Sequence, residues 1–86
     1  MDFSEQKKCI QTMMQQGDLQ AIAKKAGVST PRVKEAFAKN SINDMTPTQR
    51  KAWIAAIEYM EERVKENQEL QERAEKLVTN LVFVKI

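Results

Sequence analysis

The chain has 86 residues, 42% apolar, 30% charged and 6% aromatic, with two Gly, two Pro, one Cys, no His and a net charge of +2. That size holds one core with room for an appended segment, and one Cys without His excludes an internal disulfide, a Cys/His zinc site and histidine-dependent catalysis, so no enzyme, metal or cofactor is expected. The longest apolar run, Ala52–Ile57, is far too short to span a bilayer, and the acidic start with Asp2 and Glu5 has no signal-peptide core, which predicts a protein of a reducing, cytoplasmic compartment with no membrane partner.

Asp2-Phe-Ser-Glu5 has the form of a capping box, and Phe3, Ile10, Met13 and Met14 follow at helical spacing. A first helix is expected over residues 3–15, with Gly17 as its C′ residue and Cys9 as a half-buried thiol. Asp18 reads as the N-cap of a second helix whose stripe is Leu19, Ile22, Ala23 and Ala26, closed by a left-handed Gly27. Ser29 or Thr30 then caps a third helix reaching Asn40, with Pro31 in its first turn and Val33, Ala36 and Phe37 on one face.

Residues 40–44 are turn-like, and Thr46-Pro-Thr-Gln49 is a second capping box with Pro in the first helical position. No Gly or Pro follows through Ile86. Trp53, Ile57, Met60 and Val64 form one seam, with Trp53 as a core anchor against helices one and three. A second seam of Leu70, Ala74, Leu77 and Leu81 is offset by three residues and has the form of a stammer. A helix from Thr46 to about Asn80 would be roughly 50 Å long, more than one small core can cover. The acids between Glu58 and Glu75 interleave with Arg63, Lys65, Arg73 and Lys76 and read as a solvated face, while the apolar tail Leu81–Ile86 reads as a short strand or docking segment.

The fold class predicted is all-α: a helix-turn-helix unit of three or four helices over residues 1–60, and a C-terminal extension over 61–86 that dimerises as a coiled coil. A second copy of the chain is the simplest cover for Leu70, Leu77, Leu81 and Phe83, since fully burying each such side chain is worth about 1.5–3 kcal/mol.

The stretch from Leu19 to Phe37 meets the mechanical needs of a helix-turn-helix. Ala23 lets the second helix cross closely, Gly27 bends the backbone, Val28 plugs the corner, and Ile22, Val33 and Ala36 fill the space between. Ile22-Ala-Lys-Lys-Ala-Gly-Val-Ser29 followed by Val33 resembles the helix-turn-helix of lactose-repressor-type bacterial regulators. Thr48-Gln-Arg-Lys-Ala-Trp-Ile-Ala-Ala-Ile-Glu58 is similar to the third headpiece helix of that family. The resemblance covers about residues 18–60 and implies a DNA-binding headpiece without the family's sugar-binding domain; it says nothing about a sugar effector, and no small-molecule effector is evident in the sequence. Small phage-type repressors share the same motif.

What the resemblance implies is a sequence-specific regulator of transcription that binds double-stranded DNA and sits on the nucleoid. With Val33 inward, Pro31, Glu35 and Ala38 point outward, flanked by Arg32, Lys34 and Lys39. Arg32, Lys34 and Glu35 are expected at base edges, Ser29 and Thr30 beside the phosphates at the helix N-terminus, and Pro31 on the DNA-facing side of the first turn, where it offers no donor. Gln20, Lys24 and Lys39 are expected on the DNA backbone. The whole excess of positive charge lies in residues 1–45, which is a weak electrostatic footprint. The competing expectation is a helical interaction module, an adaptor or toxin-neutralising partner without DNA contacts.

Overall fold

Five helical segments make up the regular structure of residues 2–84, the part of the chain that the computed structural model describes. They are α1 (Phe3–Met13), α2 (Asp18–Ala26), α3 (Thr30–Ala38), a single 3-10 turn (Ile42–Asp44) and α4 (Pro47–Val84). No strand occurs among the described residues, so the all-α class is correct.

Local chemistry sets most of the boundaries. The Glu5 amide donates to Asp2 Oδ1 at 2.9 Å and starts α1. The helix ends at Met13, two residues early, because Met14 turns extended. Gly17, at φ +91°, is the N-cap of α2 and not the C′ residue of α1. Asp18 is correspondingly the first residue of α2 and not its cap. Its carboxylate accepts from the Gln15 amide at 2.6 Å, which folds the link between the two helices into a tight turn.

Gly27 takes φ +72° as the sequence predicts, while its amide bonds Lys24 O and the Val28 amide bonds Ala23 O. A β-carbon at Gly27 would meet open space. Gly27→Ala is therefore expected to cost only the left-handed backbone strain, about 1–2 kcal/mol in a denaturant titration.

The second capping box forms with both arms. Gln49 N donates to Thr46 Oγ1 at 3.2 Å and Thr46 N to Gln49 Oε1 at 3.0 Å, so α4 begins at Pro47.

The core lies where α2, α3 and the first half of α4 meet. Ile22 and Val33 are fully buried, and Ala23, Ala26, Ala36, Ala52 and Ala56 let the three backbones approach. Trp53 stands between Phe3 and Phe37, with ring centroids at 5.0 and 5.4 Å, which ties α1 and α3 to α4 as expected. α1 supplies only the half-buried Phe3 and Ile10, joined by Met14 just past its end. Cys9 is exposed, contrary to expectation, because it sits about 100° round the helix from Ile10.

From Met60 to Val84 the chain is one uninterrupted helix, and every residue from Val64 to Val82 is exposed. Residues 81–84 continue α4 and form no strand: with no Gly or Pro, adding one more helical residue is easier than stopping. Lys85, Ile86 and the side chain of Phe83 lie outside the described residues. The offset between the two seams vanishes along a neighbouring line of the helix. Ala56, Met60 and Arg63 face the core, and steps of four and three carry that face on to Asn67, Leu70, Ala74, Leu77 and Leu81. The projecting half of α4 gives the chain its 60 × 27 × 18 Å extents. Among the described residues no helix is long and apolar enough to cross a membrane.

Candidate nucleic-acid interface

The exposed face of α3 follows from what its other face buries. Val33, Ala36 and Phe37 point into the core, so Pro31, Arg32, Lys34, Glu35 and Ala38 are left at the surface. Lys34 and Arg32 lie on opposite flanks of that face. On the Lys34 flank, the side chains of Gln20, Thr30 and Lys34 line one open cleft with Gln15 and Leu19, where the N-terminal ends of α2 and α3 come together. Three of the expected contact residues, from two helices, thus converge on one surface. Lys24 stands one turn further along α2 from Gln20 and is also exposed.

The Arg32 flank is occupied by its own partners. Arg32 Nη1 donates to Glu35 Oε2 at 3.0 Å, and Gln49 Nε2 lies 3.5 Å from the same oxygen. The Arg32 guanidinium, helped by Gln49, holds the Glu35 carboxyl below the usual carboxylate range. Both residues of the ion pair are substantially exposed, so the pair adds little stability. It does fix where the guanidinium points. Arg32 must exchange Glu35 for a base edge if it is to read one.

Ser29 is the N-cap of α3 by its backbone, and its side chain makes no capping bond. Its carbonyl accepts from the Arg32 amide at 3.0 Å, and Pro31 has no amide to offer. The anion-binding amides expected at this helix start are therefore reduced. Lys39 is half-buried at the other end of α3, away from the cleft, and its carbonyl accepts from Lys7 Nζ at 2.8 Å. Lys7 was not legible as a capping residue, since 32 positions separate the two.

The strongest polar cluster lies elsewhere. Asp18, 3% exposed, accepts two bonds from the Arg63 guanidinium at 2.5 and 2.7 Å and one from the Tyr59 hydroxyl at 3.0 Å. Hydrogen bonding from Arg63 first, then from the Gln15 amide and Tyr59, outweighs burial and holds the Asp18 carboxyl far below its usual range. The same cluster pushes Tyr59 up, chiefly through its bond to Asp18. Arg63 is thus half-buried in an ion pair and is no member of a solvated charge run. The cluster fastens to α4 the start of α2, which contributes Leu19 and Gln20 to the cleft. No group of three or more Cys, Asp or Glu suited to a metal ion occurs among the described residues.

Comparison of the chain with protein families, curated proteins and solved structures finds no match.

Proposed function

We propose that the chain is a sequence-specific double-stranded DNA-binding regulator of transcription, nucleoid-associated, in which α2 and α3 act as a helix-turn-helix and α4 pairs two copies. The observation that carries this reading is the cleft where Gln20, Thr30 and Lys34 meet across the starts of α2 and α3. In a helix-turn-helix those two helix ends lie against the DNA backbone and the base edges. Burial of Ile22, Ala23, Val33 and Ala36 beneath it supports the same geometry.

Selection from a random duplex pool tests the reading, because an enriched palindrome reports specificity and two-fold symmetry together. On the selected site, Lys34→Ala and Arg32→Ala are each expected to cost about 1–3 kcal/mol and to relax preference at one base position. Lys24→Ala is expected to weaken all sequences alike and to lower the salt slope by about one. Retention of full preference by both the Arg32 and Lys34 variants would mean that α3 is not the reader.

The second reading is a helical interaction module with no DNA contacts. The observation in its favour is the Arg32–Glu35–Gln49 chain, which satisfies one flank of α3 internally. A binding isotherm without salt dependence distinguishes it.

A further inference from the structure

We propose that the projecting half of α4 pairs with the same segment of a second copy, parallel and in register, with Asn67 of each copy facing the other across the two-fold axis. This deepens the pairing role given to α4 above and is independent of whether the chain binds DNA.

The surface is the outward continuation of the core face. Ala56 and Met60 are buried within the chain, and Arg63, next in the same register, is engaged by Asp18. Asn67 is the next position of that face and is exposed. After it come Leu70, Leu77 and Leu81 at 58%, 59% and 51% exposed, with Ala74 between them. The seven-residue repeat runs through both parts without a shift, so it specifies a left-handed pairing seam along one line of the helix.

Asn67 identifies the occupant and its direction. A foreign apolar helix, or a membrane surface, would leave the Asn67 amide without a partner at the edge of a dry seam. An identical helix laid parallel and in register puts Asn67 on Asn67, where each side chain carries both a donor and an acceptor for the other. An antiparallel copy that matches the apolar positions sets Leu70 on Leu81 and Ala74 on Leu77. It then carries Asn67 beyond Leu81, with no second Asn at its level. The flanks agree with the parallel choice, since Glu66 falls beside Gln71 of the other copy and Arg73 beside Val78, so no like charges meet. From Asn67 to Leu81 the seam is about 21 Å long, roughly two heptads, which makes the dimer reversible. Parallel pairing also brings both packed ends to the same end of the dimer.

The test uses the full chain in a Cys9→Ser background without DNA, since the exposed Cys9 would otherwise cross-link. Leu81→Cys and Leu70→Cys chains are mixed in a glutathione redox buffer, with Trp53 emission verifying that the packed ends stay folded. Parallel pairing predicts that Leu81→Cys chains link to each other at least tenfold in preference to mixed Leu70→Cys/Leu81→Cys species. A preference for the mixed species overturns the proposal, because only antiparallel helices bring those positions together. Asn67→Leu is expected to abolish that preference and broaden the sedimentation profile into several oligomers. An unchanged preference removes Asn67 from the role assigned to it. A monomer at roughly 1 mM chain, the weak end of the affinity scale, overturns self-pairing altogether.

Discussion

Trp53→Ala is expected to cost about 3–5 kcal/mol, as large aromatic truncations in cores do, and so to remove most of the stability of the packed end. Trp53 is 4% exposed and touches both Phe3 and Phe37, so its loss opens a cavity between three helices at once. The neighbouring small residues cannot collapse to fill it. Ala52 and Ala56 are already fully buried, and α1 loses the contact of the Phe3 ring with Trp53. Thermal unfolding followed by circular dichroism checks this result, with Trp53→Phe as the milder comparison. A Trp53→Ala loss below about 1 kcal/mol, the size of a surface effect, would show that the rings do not anchor the core.

Asp18→Ala is the second large effect, expected at about 3 kcal/mol from the loss of a buried, doubly bonded ion pair, or about 12–24 °C in melting temperature. Arg63→Met is expected to destabilise as well, since it strands a carboxylate that is almost wholly buried. The double variant should lose less than the two singles together, and that difference measures the coupling. The pH dependence follows from the direction of the shift. Folded Asp18 titrates below its ordinary value of 3.8, so its contribution is complete above that value and is lost as pH falls through it toward the folded value. Unfolding free energy should therefore decline with acid from about pH 5 downward. Asp18→Asn should flatten that decline, and an equally steep slope in the variant would assign it to other carboxylates.

The parts of the fold that the sequence announced are those decided within a few residues. Gly27 and the Thr46–Gln49 box are decided by neighbouring residues and form as read, and Trp53 anchors α4 as read, while the seam beyond it ends at Met60 because Val64 is exposed. Gly17 is misassigned from sequence to the end of α1 for a physical reason: a lone Gly between two helices can end one or begin the next. The choice was made by the Asp18 carboxylate bonding back to Gln15, which itself depends on a guanidinium 45 positions away. No local pattern carries that information. The candidate interface was legible as residue types on one helix face. Its division into an open flank at Lys34 and a self-paired flank at Arg32 required Gln49 from α4, whose side chain also serves the capping box. Arg63 looked like one more charge in a solvated run because its partner lies in α2.

The loose seating of α1 gives the molecule an internal hierarchy of stability. No side chain of α1 is fully buried, and its hold depends on Phe3 against Trp53, on Ile10 and the adjoining Met14, and on the Lys7 bond to the end of α3. Local opening scales with the apolar contact that must be given up, so α1 is the cooperative unit that detaches at the lowest free energy, ahead of α2, α3 and the first half of α4. Its backbone amides would then exchange with solvent through a partial opening that leaves the helix pair beneath it intact. In that partly open state Trp53 loses the Phe3 ring from its face, while Gln20, Thr30 and Lys34, carried by α2 and α3, stay with the packed part.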